Sequence, residues 1–438
     1  MKEVPYFMAK VGGVTVVDIG SYNIKSAFAE RVADGFKILS YTSVKSNGLY
    51  GGQIVDALSL RASVGESLSE LQTQLMKKTL GGHLVVTASE NFFSIELAKI
   101  NKEFPKLETI SPAHIQEIRK EAVKSPDIID VIPVRYTLDN GRKVINPLSM
   151  ATSKISADIV KIKMDPLPKN ELMNLFQGYV FDSISILHPG LVAGEGVLTE
   201  NEKNRGIICL DFGYSTLKMS AYMDGMPIGY KFIPLGIEKI IKDIATVFKV
   251  SYPEAERVLF YHSNLDYEKL NENDMVEIVD FSKAKKSVKK RSISMAAYAR
   301  TKEMLSLSRR SFSEILNANP SFNPIGIVIT GGGASIPGIS SVAGTIFNLS
   351  ARNGNYISSN NVIVTGAEDV MGVPAYGPLF GAYIYTYKYG RLETKLVQNI
   401  PAANVQNVQQ TVAVEEKSEE SVQNGTFKKL WDFLKKLV

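Results

Sequence analysis

Apolar and polar positions along the chain fall into two periods. Val14–Asp18, Ile24–Arg31 and Lys37–Val44 are apolar-rich runs parted by short polar turns, which predicts three successive strands. Residues 55–80 switch to helical spacing, with Leu58, Leu68, Leu71, Leu75 and Met76 on one stripe. From about Gly82 to Lys161 the character changes again. A strand at Leu84–Ala88 precedes a helix at Pro112–Val123, entered through Ser111 with proline in its first turn. Strands at Ile128–Leu138 and Ser156–Lys163 follow, and Asn140-Gly141 is a tight-turn signal between them. This segment reads as an inserted α/β subdomain. Beyond it, residues 168–187, Ile237–Phe248, Pro253–Leu259 and 293–317 carry helical patterns. Ile325–Thr330 is a buried strand that runs straight into three glycines.

One pattern occurs twice. Val16-Val17-Asp18-Ile19-Gly20-Ser21-Tyr22-Asn23-Ile24-Lys25 is matched by Cys209-Leu210-Asp211-Phe212-Gly213-Tyr214-Ser215-Thr216-Leu217-Lys218. Each is a strand ending in Asp-x-Gly, a polar turn, and a returning strand that carries Lys. Two such hairpins predict two related half-domains facing one cleft, an arrangement suited to a nucleotide's phosphates and metal. Asp18 and Asp211 are the carboxylates available to a hydrated Mg²⁺. Gly20 allows close backbone approach, and amides around Gly20 and Ser21 can donate to phosphate oxygens, with Tyr22 in the same turn. Lys25 can neutralise phosphate charge. Asp211, Gly213, Tyr214, Ser215 and Thr216 meet them from the other half. Gly331, Gly332 and Gly333 let backbone approach a flat base and the α-phosphate without a Cβ clash. Glu195 is placed to orient a water toward the γ-phosphate, the alternative being a solvated loop glutamate. Glu256 can accept from ribose hydroxyls, or else forms an exposed pair on a helix face.

Composition narrows the classes. The 438 residues are 45% hydrophobic and 22% charged, ordinary for a globular protein of two to four lobes. A net charge of +5 is small for this length and points to no nucleic-acid partner. The single cysteine, Cys209, excludes an intramolecular disulfide and fits a reducing compartment. The N-terminus lacks the apolar core of a secretory signal, and no apolar run is long enough to span a membrane.

The order of hairpin, connection, hairpin and triple-glycine loop is similar to the actin-like ATPase superfamily. Asp130-Val131-Ile132-Pro133-Val134-Arg135-Tyr136 with Ile145-Asn146-Pro147-Leu148, and Pro374-Ala375-Tyr376 with Phe380-Gly381 and Tyr389-Gly390, resemble the FtsA family of bacterial cell-division proteins within it. The resemblance covers residues 10–391 and the extreme C-terminus. It implies an α/β, actin-like (ribonuclease-H-like) two-lobed ATPase fold whose usual fourth subdomain is missing, replaced by one inserted elsewhere. The boundaries expected are a first lobe at 1–82 completed by 162–202, an insertion at 83–161, and a second lobe at 203–391 with an outer part at about 231–320. The resemblance also implies ATP and Mg²⁺ as cofactors, self-assembly into filaments, and recruitment of the tubulin-like protein FtsZ at the cytoplasmic face of the cell membrane, beside other division proteins. Four positions depart from it: Tyr214-Ser215 where Gly-Gly is usual, Lys218 where an acid is common, Asp130 for His, and Leu259 for a basic residue. The first two point to slow ATP turnover at most. A pilus or secretion scaffold of the same fold is an alternative, and a sugar-kinase-like phosphotransferase a weaker one, lacking a visible catalytic base.

From 392 to 424 the composition turns to Gln, Asn, Val, Glu and Ser, which reads as a disordered linker. Residues 425–438 then form a two-faced pattern. Phe427, Leu430, Trp431, Phe433, Leu434 and Leu437 fall on one arc at helical spacing, and Lys428, Lys429, Lys435 and Lys436 on the other. Such a helix suits an anionic lipid surface, or else docks on protein. A basic stretch ending in Arg291, with Arg300 beyond it, reads as solvated surface charge. The resemblance places the pocket for the FtsZ C-terminal tail in this region, where Arg forks would suit an acidic peptide.

Overall fold

The first strand, Val14–Ile19, is buried at every position, so it must be covered on both faces. In the computed structural model, which describes residues 13–88, 93–357 and 362–389, this strand lies inside a six-stranded sheet. Its neighbours are Asn23–Val32, antiparallel, and His83–Ala88, parallel. Gly35–Lys45 and Ile363–Thr365 extend one side and Ser183–Leu187 the other. The helix Ala57–Gln74 packs on this sheet through Leu60, Val64, Leu68 and Leu71, and Asp56 caps its N-terminus. The helices Pro189–Val197 and Gly377–Tyr389 also pack on each other. They cross at glycine: a Cβ on Gly381 would fall 1.7 Å from the carbonyl oxygen of Val192.

The second hairpin repeats this plan. Ile207–Phe212 pairs antiparallel with Leu217–Met223 and parallel with Gly326–Thr330, in a five-stranded sheet closed by Met226–Ile233 and Ser350–Asn353. The duplication read from the sequence is a duplication of sheet topology.

The insertion differs in its start. His83–Ala88 belongs to the first sheet, so the expected boundary at residue 83 moves to the strand Phe93–Thr109. That strand pairs with Ala151–Met164, then Ile128–Leu138 and Lys143–Val144 follow across an antiparallel sheet. The helix Pro112–Ala122 covers it through Ile118 and Ala122, over Val131, Ile155 and Ile159. Asp130, buried, accepts from Tyr385 Oη at 2.9 Å. The segment expected to be helical at 168–187 is a short helix, Pro166–Asn174, followed by the strand Ser183–Leu187.

Two units separate by contact: Met1–Lys239 with Lys302–Thr394, and a smaller one at Ile240–Thr301. The expected outer part at 231–320 is therefore shorter. Within the smaller unit, Ile240, Ile241, Ile244, Val258, Leu259, Val276, Ile278, Ile293 and Ala297 are buried. Its hairpin pairs Met275–Val279 with Lys285–Lys289. The linker at 392–424 and the helix at 425–438 lie outside the described residues. No helix among the described residues is long and apolar enough to cross a membrane.

Candidate functional site

The two hairpins place equivalent residues at equivalent points of two sheets. Asp18 stands opposite Lys25 across the antiparallel pair and opposite Thr87 across the parallel one. Asp211 likewise stands opposite Lys218 and Thr330. In each case the register delivers the lysine to its own aspartate. Lys25 Nζ is 3.2 Å from Asp18 Oδ2, and Thr87 donates to Asp18 Oδ1 at 2.6 Å. Lys218 Nζ is 2.7 Å from Asp211 Oδ2. Thr330 instead donates to the carbonyl oxygen of Pro374 at 2.9 Å.

Both turns close in the same way. The Gly20 amide donates to the Asn23 carbonyl at 3.2 Å and the Gly213 amide to the Thr216 carbonyl at 2.8 Å. The expectation that the Gly20 amide serves phosphate is thus corrected, because the turn already uses it. The Thr216 hydroxyl is buried and has no hydrogen-bond partner.

The tips meet. Ser215 donates to Ser21 Oγ at 2.6 Å, and the rings of Tyr22 and Tyr214 lie 4.8 Å apart between centroids. Lys45 Nζ sits 3.3 Å from the centre of the Tyr22 ring. The residue three beyond one aspartate touches the residue four beyond the other, in both directions, which is the pattern of a local two-fold axis. Amides at the start of the helix Ile237–Phe248 are spent on this tip: Ile237 donates to the Gly213 carbonyl and Glu238 to that of Tyr214.

The glycine loop abuts the second hairpin. Gly331 has φ +78°, and a Cβ there would lie 2.3 Å from Asp211 Oδ1. A Cβ on Gly333 would strike the Phe212 ring at 2.4 Å. These two glycines serve packing within the protein. Gly332 is half-buried, and the nearest atom to a Cβ there is the flexible end of Ile237 at 3.3 Å.

The two carboxylates assigned to Mg²⁺ do not fit that role as they stand. Magnesium takes a near-octahedral oxygen shell, whereas Asp18 and Asp211 are each bonded to an ammonium group. Among the described residues no group of three or more His, Cys, Asp or Glu side chains gathers to hold a metal.

Glu195 is not a solvated loop residue. It lies on the helix Pro189–Val197, buried, with both oxygens 2.9 Å from Lys203 Nζ and Oε2 also 2.9 Å from Lys388 Nζ. Burial alone would raise its carboxyl, but Lys203 and Lys388 reverse this and hold it down at about 2. With its oxygens so committed, the expected role in orienting water is withdrawn. Glu256 lies half-buried on the helix Tyr252–His262 of the smaller unit. Arg300, in that unit, grips Asp243 with Nε at 2.6 Å and Nη2 at 3.2 Å, and Arg291 pairs with Glu272. The Arg300 fork expected for an acidic peptide is thus engaged within the unit.

No motif in the sequence marks His188. Its Nδ1 accepts from the amides of Gly190 and Leu191, capping the helix that carries Glu195. Its ring meets that of Tyr230 edge-on at 4.2 Å. Burial, with Lys218 nearby, pushes it down to about 3, so the imidazole is neutral. A His-Pro step before an apolar helix is its only sequence signal.

A family model described as cell division protein FtsA matches residues 208–376. The cell division protein FtsA of Bacillus subtilis (strain 168) is 25% identical over 359 residues, covering 78% of this chain and 78% of its own. That of Borreliella burgdorferi is 24% identical over 382 residues, covering 85% and 90%. Among solved structures, a PilM-PilN type IV pilus biogenesis complex superimposes with a TM-score of 0.55 at 15% identity, covering 86% of this chain and 98% of that one. A MamK double helical filament gives 0.50 at 10% identity, covering 85% and 97%. The structural likenesses are of fold, the α/β actin-like fold.

Proposed function

Because the chain is an actin-like protein related to the FtsA cell-division family, we propose that it binds ATP at its paired hairpins and polymerises on the cytoplasmic face of the bacterial membrane, tethering FtsZ filaments there. The observation that carries the nucleotide reading is the meeting of two equivalent Asp-Gly tips, with a glycine loop packed against one of them. Ser21, Tyr22, Ser215, Thr216 and Gly332 are the residues we assign to phosphate and adenosine, with Lys25 and Lys218 supplying charge. Glu195 is held by two lysines, which supports slow turnover.

The membrane role is supported by the segregation of Trp, Phe and Leu from Lys over 425–438. One such helix binds reversibly, and a filament multiplies it. For the FtsZ tail, an acidic and partly apolar peptide, the smaller unit presents Met275 (52% exposed), Phe281 (71% exposed) and the exposed Lys289. The PilM likeness is one of fold and adds no support for a pilus role.

Electron microscopy of the full chain with ATP on an anionic lipid monolayer tests this. Ordered filaments are expected, lost on deletion of 425–438. A truncated chain that still coats the monolayer would overturn the tether, and an absence of filaments under all nucleotide conditions would overturn the polymer.

A further inference from the structure

We infer that this chain holds its nucleotide's phosphates without a divalent metal, the positive charge being built in as Lys25 and Lys218. The inference rests on the nucleotide reading above. In both hairpins the lysine is the cross-strand partner of the aspartate, so strand register places the ammonium group. Around the tips, Lys25, Lys218 and Lys45 outnumber Asp18 and Asp211. That balance is net positive and suits a bare polyphosphate. Two carboxylates without lysines would repel the phosphates and need a metal between them.

The second hairpin argues most strongly. Asp211 and Lys218 are each 5% exposed and 2.7 Å apart. A magnesium ion on Asp211 would sit beside a buried ammonium, where solvent screens like charges poorly. It would also need room for its oxygen shell. The glycine loop already stands so close that a Cβ on Gly331 would fall 2.3 Å from Asp211 Oδ1.

The test is equilibrium binding of a fluorescent ATP analogue to the full chain, competed with ATP, in excess magnesium and again in EDTA. Binding in EDTA at least as tight as in magnesium is expected, because magnesium holds ATP in a complex that the site does not take up. Binding weakened about tenfold or more by EDTA would overturn the inference while leaving the nucleotide reading intact. No binding in either buffer would overturn both. Lys218→Met should make binding metal-dependent, with magnesium recovering affinity that EDTA removes; equal binding in both buffers would contradict the assigned role. Should that variant fold poorly, Lys25→Met at the more solvated pair carries the same expectation. Manganese added to wild-type chain with ATP gives a metal readout by electron paramagnetic resonance. The spectrum of free Mn-ATP is expected, and a protein-bound manganese signal would count against the inference.

Discussion

The two hairpins share backbone, register and ion pair, and differ in how far water reaches them. In the first, the Asp18 and Lys25 side chains are 11% and 14% exposed, and Thr87 adds a hydrogen bond to the carboxylate. In the second, Asp211 and Lys218 are each 5% exposed and the glycine loop packs against Asp211. One duplicated plan thus yields a pair that water partly reaches and a pair that it scarcely reaches. Burying an ion pair makes each partner depend on the other, because removing one strands the other's charge.

The sharpest way to break this contrast is to remove each lysine. Lys218→Met leaves Asp211 buried and unpaired, and urea unfolding should show a loss of about 3–5 kcal/mol. Lys25→Met should lose less, about 1–3 kcal/mol, since Asp18 keeps its hydrogen bond from Thr87 and a little more solvent. Equal losses would erase the distinction. The double variant Asp211→Asn, Lys218→Met should recover most of the larger loss.

Acid probes the same side of the molecule. His188 binds its proton near 6.5 when unfolded but only at about 3 when folded. Between those values the unfolded chain binds more protons, so stability rises with pH. Thermal melts should therefore fall progressively as pH drops from 6.5 toward 3. Glu195, also depressed, adds its own loss only below 4.5 and toward 2. His188→Asn keeps a capping acceptor and should flatten the part of the profile above 4.5, leaving the Glu195 part in place.

The glycine loop gives a smaller and internally controlled effect. Gly331→Ala combines a positive φ with a Cβ aimed at Asp211, and should cost about 2–3 kcal/mol. Gly332→Ala meets only a movable side-chain end and should change stability by less than about 0.5 kcal/mol. Ser21→Ala, which removes the hydroxyl contact between the tips, should cost about 0.5–1 kcal/mol.

Much of the fold was legible because local pattern and tertiary role agree. The hairpins, the helix Ile237–Phe248 and the strand Ile128–Leu138 begin and end close to where periodicity places them. The sheet that His83–Ala88 joins is not legible in the sequence, because a continuous apolar run declares burial but not its partner. Phe93–Thr109 gives no clear strand signal because its apolar residues alternate with Lys and Glu and it carries a proline. At the site, the paired motifs identified which residues meet. They do not say that Gly20 and Gly213 spend their amides on their own turns, that Gly331 and Gly333 serve packing, or that Glu195 and Arg300 are held in ion pairs. Residues 203 and 388 converge on Glu195 only through the fold, and no spacing in the sequence announces them.

Hydrogen–deuterium exchange of the full chain with and without ATP addresses the central claim, that the duplicated hairpins form one nucleotide site. Protection on ATP addition is expected together at residues 20–25, 213–218 and 331–333. Protection at one hairpin alone, or elsewhere in the chain with both hairpins unchanged, would contradict it.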